Sequence, residues 1–218
     1  RTMTTYKTPD VYIEEISVFP PSVAEVGTAI PAFIGHTEKA QKDQDKLKLK
    51  PVKIYSLKEY EALFGGPHPE EIDVTLTEVK ESDKLVGYSV AGVAVKGGPL
   101  PSYLLHHAVR MYFDNGGAQC YVVSTGDYTE AIEDAELASG LSQIELEDEP
   151  TLLVIPEAVK LGYAAYKVVA QKMLDQCGKL GDRFAILDVW SGDKKVDDEV
   201  VVGKTTDTLR FVIKHQGE

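Results

Sequence analysis

Basic side chains are in short supply in this chain. Its 218 residues hold 23 lysines and arginines against 35 acids, a net charge of −12. Recognition of a phosphate backbone depends on clustered Lys and Arg, so no nucleic-acid partner is expected. Cysteine is nearly absent: Cys120 and Cys177 are the only two, each among apolar residues and at no metal or redox spacing, so both read as reduced core residues. No apolar run reaches membrane-spanning length, and no signal-peptide pattern opens the chain. Direct membrane insertion is therefore not expected, and the chain reads as soluble and cytoplasmic.

Arrangements that carry chemistry are also lacking. Gly203-Lys204-Thr205 looks like the end of a phosphate-binding loop, but Asp198 stands where its first glycine belongs. No Gly-x-Gly-x-x-Gly follows a strand, and no Gly-x-Ser-x-Gly elbow is present. His106 and His107 are adjacent, whereas a helical metal pair needs a spacing of three or four, so both read as solvent-facing. His36 ends the first apolar run with no Cys or carboxylate at ligand spacing, and reads as a loop histidine. Asp188 falls where α/β enzymes often carry a carboxylate, but it stands alone and reads as a loop cap. Asp197-Asp198-Glu199 are consecutive rather than alternate, which suits solvated acid better than a cation site. No catalytic, cofactor or metal site is expected, and the chain does not read as an enzyme.

What the sequence does hold is an extended start and an alternating body. Residues 6–16 form a strand pattern without a local partner: Tyr6, Val11, Tyr12, Ile13 and Ile16 suit an extended ribbon, and Pro9 biases Thr8 the same way. Pro20 and Pro21 prevent a tight hairpin from following, and Gly27 permits a bend, which makes 17–28 a hinge. The arm thus calls for a partner strand elsewhere.

From residue 29 onward strands and helices alternate. Strands are expected at 29–34, 52–55, 119–125, 151–155 and 183–190. Helices are expected at 56–64, capped by Ser56 and Glu59, at 102–114, capped by Ser102, at 128–139, at 158–179 and at 205–215. The charged tract 41–50 reads as a solvated loop, and 200–202 as a short strand. Residues 67–100 carry two β-rich runs, 72–79 and 85–95, between Gly/Pro clusters, the pattern of a β-hairpin inserted into a larger fold, whose removal should leave the core intact. The fold class is α/β: a layered mixed sheet flanked by helices, with an extended N-terminal arm (1–28), a core domain (29–218) and the hairpin insertion (67–100).

The order of motifs carries a resemblance. Thr8-Pro9-Asp10-Val11-Tyr12-Ile13-Glu14-Glu15, then the run 29–35, Leu63-Phe64-Gly65-Gly66, the stretch from Tyr112 to Val123 through Asn115-Gly116-Gly117, Leu153-Val154-Ile155-Pro156-Glu157 and Gly181-Asp182-Arg183-Phe184 follow one another along nearly the whole chain. Together they resemble the tail sheath proteins of contractile phages and contractile injection systems. Asp10 stands where that pattern usually has glycine, and such proteins usually lack a charged tract as long as 41–50. The resemblance implies a mechanical, non-enzymatic subunit without a cofactor, polymerising as stacked hexameric rings around an inner tube protein and contracting to drive the tube through a membrane. Its neighbours would be held by strand addition through the arm. It implies assembly in the bacterial cytoplasm or residence in a phage-tail-like particle. It also implies longer chains with a C-terminal domain, so that these residues would form the N-terminal portion. A sheath paralogue or terminator, and a small-molecule-binding α/β enzyme, are the alternatives.

Overall fold

The structure, a computed structural model, describes residues 29–96, 100–192 and 194, and the backbone of Glu199–Val202 and Thr205–Thr208. The arm residues Tyr6, Val11, Tyr12, Ile13 and Ile16 and the hinge residues Pro20, Pro21 and Gly27 lie outside the described residues.

Strand β1, Pro31–Thr37, is buried along its whole length because it is the middle of a five-stranded sheet. After it come two short strands, β2 (Gln41–Lys42) and β3 (Asp45–Lys46), then β4 (Val52–Ile54) and helix α1 (Leu57–Phe64). A long hairpin, β5 (Ile72–Glu81) and β6 (Lys84–Val95), precedes α2 (Leu105–Asp114) and β7 (Cys120–Asp127). Helix α3 (Asp134–Ile144), β8 (Leu152–Val154), a 3-10 turn at Pro156–Lys160, α4 (Tyr163–Leu180) and β9 (Phe184–Ile186) complete the core. The sheet order is β4-β7-β1-β8-β9; β4 runs antiparallel to β7 and the other pairs are parallel. The fold is thus the expected mixed α/β sheet with helices on its faces.

Alternation along β1 and β7 divides the core in two. Ala32, Ile34, Tyr121 and Val123 face α3 and α4, where Leu137, Leu141, Val169 and Met173 pack. Phe33, Cys120 and Val122 face α1 and α2, against Tyr60, Phe64, Leu105 and Val109. Both faces of the parallel strands are covered, so these strands read as continuous apolar runs.

Several elements depart from the sequence expectation, each for a tertiary or turn-level reason. Helix α3 starts at Asp134, not near 128, because Asp127 Oδ1 accepts from Thr129 N (2.8 Å) and Thr129 Oγ1 and holds a turn there. Helix α2 starts three residues beyond Ser102, whose N–H and hydroxyl are instead donated to Glu70 at 2.7 and 2.9 Å. The long helix divides at Leu161-Gly162 into the 3-10 turn and α4. Strand β9 ends at Ile186, since Tyr166 Oη donates to the Asp188 carbonyl (2.5 Å) and Trp190 Nε1 to that of Leu161 (2.9 Å), folding the next residues onto α4. Asp188 is therefore past the sheet. The charged tract is mostly exposed but ordered: β2 and β3 form a hairpin turning at Asp43 (φ 53°), and Leu47 is buried. Residues 205–208, expected to be helical, are strand β11, paired antiparallel to β10 (Glu199–Val202); the rest of that expected helix lies outside the described residues.

Hairpin β5–β6 forms a sheet of its own, apart from the five-stranded one. The Ser102 to Glu70 bonds and the pair Lys96 to Glu71 tie its base.

Candidate functional site

The fold carries two features beyond its apolar core. The first is the hairpin surface. Cross-strand pairs place Ile72 with Val95, Val74 with Val93, Leu76 with Val90 and Glu78 with Tyr88. Paired residues share a face, so one side of the ribbon is an apolar stripe while Asp73, Thr75, Thr77 and Ser89 line the other. Val93 is 65% exposed, Val90 63% and Tyr88 62%. Among the described residues nothing covers this stripe. An exposed contiguous apolar face marks an interaction surface rather than a solvated one. Strand β9, at one edge of the main sheet, likewise leaves Phe184 74% exposed.

The second feature is a buried polar cluster at the carboxyl end of β1, where the chain has crossed to β7 on one side and β8 on the other. That switch of direction is where open α/β sheets leave a crevice. A register shift between Gly35 and His36 opens the β1–β7 ladder here. Glu157, in the 3-10 turn that follows β8, is fully buried. Its Oε2 accepts from His36 N at 2.7 Å and His36 Nδ1 at 3.2 Å; its Oε1 accepts from Leu104 N and Leu105 N at 3.3 and 3.4 Å. Helix α2 has no side-chain cap of its own, so a carboxylate from far along the chain satisfies its first N–H groups, where the helix dipole favours an anion. Gly35 leaves room for it: a Cβ there would meet Glu157 Oε2 at 2.7 Å.

His36 is thus a fully buried strand residue, not a loop histidine, and carboxylates surround it that sequence spacing did not bring near. Nε2 lies 3.5 Å from Glu136 Oε2, and Thr125 Oγ1 is 3.3 Å from Nδ1. Burial pushes the imidazole down, but the Glu157 hydrogen bond and the charges of Glu157 and Glu136 outweigh it, and its pKa is raised. The Ala131 carbonyl also favours the charged ring, and Nε2 makes no hydrogen bond of good geometry. His36, Glu130 and Glu136 present ligand atoms within 4.8 Å of one another. Tyr103 closes the cluster, its ring 5.6 Å from that of His36 and its hydroxyl donating to the carbonyls of Tyr128 and Glu130.

His106 also corrects the expectation: it is buried at 3% exposure, edge-on to Tyr60 at 5.7 Å, whereas His107 is exposed. Burial is the main cause of its lowered pKa; Glu61 lies 3.5 Å from Nε2, too far to hydrogen-bond it well. Cys120 is fully buried, and burial pushes its thiol up to about 12, which keeps it protonated and inert. Cys177 is only partly buried, against the α4 core. Open hollows of about 290 Å³ between α3 and α4 and about 470 Å³ beside Asp188 are the larger depressions described, and the Ser142 hydroxyl in the first donates to the Ala138 carbonyl. No helix of the described residues is long and apolar enough to cross a membrane.

Comparison with solved structures finds the fold of this chain similar to two from the anti-feeding prophage. One is from its baseplate in the contracted state, at 22% identity and a TM-score of 0.48, covering 85% of this chain and 40% of that one. The other is from its helical sheath in the contracted state, at 21% identity and a TM-score of 0.48, covering 98% of this chain and 54% of that one. This chain therefore spans about half the length of those proteins or less. No protein-family model matches the chain, and no curated protein does.

Proposed function

We propose that this chain is a structural subunit of a contractile tail sheath, polymerising helically around an inner tube and contracting to drive that tube through a target membrane. The observation that carries the reading is the β5–β6 ribbon, a twenty-odd-residue element whose apolar stripe has no cover within the described chain. Such a surface suits association with neighbouring copies, and the order of sequence motifs, from Thr8-Pro9 to Gly181-Asp182-Arg183, supports a contractile sheath by its resemblance to that family. Head-to-tail contacts whose rotation does not close generate an open helix. In that helix the arm residues Tyr6, Val11, Tyr12, Ile13 and Ile16 add a strand to a neighbour, and the hinge at Pro20, Pro21 and Gly27 lets the cores reorient while the strand stays paired. About four to six intermolecular hydrogen bonds, each worth roughly 0.5–1.5 kcal/mol, would hold each arm. The buried cluster around Glu157 serves the fold in this reading, and no bond is made or broken.

The test is to express the full-length protein with and without residues 3–16. Circular dichroism of the two should agree, while negative-stain microscopy should show tubular polymers only for the intact chain. Polymers that form equally well without the arm reject strand donation, and an ATP-dependent activity of the purified chain would revive the enzyme reading.

A further inference from the structure

The geometry at the carboxyl end of β1 points to a binding site for one divalent transition-metal ion of the zinc class, held by His36 Nε2 and the carboxylates of Glu130 and Glu136. Three observations converge on it. The ligand atoms of these residues all lie within 4.8 Å of one another, and the 3.5 Å between His36 Nε2 and Glu136 Oε2 is close to the edge of a tetrahedron with metal–ligand bonds of about 2.0–2.2 Å. Direct hydrogen bonding would have drawn this pair closer. Instead both atoms are buried and have no hydrogen-bond partner, and His36 has no solvent exposure through which water could serve it.

The ring is also fixed from behind. Glu157 Oε2 accepts from His36 Nδ1 at 3.2 Å, which keeps a proton on Nδ1 and leaves Nε2, facing Glu136 and Glu130, as the nitrogen that would release its proton to bind a metal. A carboxylate on the far nitrogen of a histidine is the usual support of a metal-ligating imidazole. A Cβ on Gly126 would lie 2.5 Å from Glu130 Oε2 and 2.7 Å from His36 Nε2, so glycine here keeps the space between these two ligands open.

Charge agrees. Three carboxylates, Glu130, Glu136 and Glu157, stand near a single imidazole, and one lysine, Lys48, pairs with Glu130 Oε2 at 2.6 Å and also feels the charge of Glu136. A dication offsets the excess. One imidazole and two carboxylates suit zinc, cobalt or manganese better than a thiol-seeking metal. The side chains of Glu130 and Glu136 are 38% and 36% exposed, which provides the way in. With three protein ligands, a fourth position is left to water. In a subunit without catalysis the ion would lock β1, the loop between β7 and α3, and the start of α3 together.

The full chain, stripped with a chelator and desalted, is titrated with Zn²⁺ alone by calorimetry, and with Co²⁺ followed by absorbance. One equivalent should bind, with a rise in thermal midpoint. Glu130→Gln and Glu136→Gln should each weaken uptake at least about tenfold, while Glu145→Gln leaves it unchanged. Imidazole nitrogen NMR of the unmutated chain gives a readout independent of any variant: among five histidines, Zn²⁺ should shift the Nε2 signal of His36. Absence of stoichiometric uptake, uptake indifferent to both Gln variants, or a shift confined to another histidine would each overturn the site and leave the cluster a buried ion pair.

Discussion

Glu157 illustrates how much a single side chain can hold in this fold. Its two oxygens take a backbone N–H and a ring N–H from His36 and two N–H groups from α2, so removing it strands several buried donors at once. Glu157→Ala should cost about 3–5 kcal/mol in urea unfolding, the range for breaking a buried charged network from one side. Gly140 is a second such position: a Cβ there would meet Thr125 Cγ2 at 2.6 Å and Ile34 Cγ2 at 2.7 Å, so the glycine sets how closely α3 approaches the sheet. Gly140→Ala should lose about 1–3 kcal/mol by overpacking, outweighing alanine's better helix propensity, as thermal or urea unfolding would show. His106 makes stability depend on pH. Its pKa is below the ordinary 6.5 in the folded chain, so the unfolded chain takes up the proton more readily. Its contribution is complete above about pH 6.5 and is lost as pH falls through the lowered value. His36, with its raised pKa, contributes in the opposite sense, fully present at low pH and lost as pH rises, so the parent alone would blur the two. His106→Phe keeps an aromatic ring against Tyr60 and should flatten the loss of unfolding free energy between about pH 7.5 and 5.5 relative to the parent.

At the scale of elements, what could be read from the sequence was what is built from neighbours. Helix α1 has the Ser56 cap and the Glu59 return that its spacing predicts: Glu59 N donates to Ser56 Oγ at 3.2 Å, and Glu59 Oε2 accepts from Tyr55 N at 2.8 Å. Ser56→Ala should therefore cost about 1 kcal/mol of stability by urea unfolding. Helix α2 was misplaced at its start because its cap is a carboxylate supplied by tertiary structure, which no local pattern announces. The same applies to His36 and His106, whose environments are assembled from residues distant in sequence or on another helix. Strand β11 was missed because periodicity could not tell a short β-branched run from a helix start, whereas its pairing with β10 decides the matter. Hairpin β5–β6 is legible, since alternation and Gly/Pro punctuation are both local, and among the described residues it pairs only with itself. Joining Glu71 to Lys96 through a short turn, with Glu70 and Ser102 retained, should leave the far-UV dichroism of the core in place and remove the apolar ribbon; collapse of the core would show instead that the hairpin is integral to it.

For the whole molecule, the proposed assembly needs two surfaces to meet neighbours: the strand pattern of residues 6–16, as expected from the sequence, and the apolar face of β5–β6. Isolated subunits would leave that face in water, which favours association, and an acidic surface of net charge −12 would keep the unassembled pool from aggregating. Substituting Val74 and Val93 with Glu should leave the monomer folded but reduce polymer yield by an order of magnitude or more in sedimentation, since each charge would be buried unpaired at every repeat. The most direct measurement is a cryo-EM map of the polymer formed by the full-length protein. The account predicts a helical tube in which Ile72, Val74, Tyr88, Val90 and Val93 are buried between subunits and residues 6–16 lie as a strand on a neighbour's sheet. A map with that ribbon facing solvent and the arm folded onto its own subunit would contradict it.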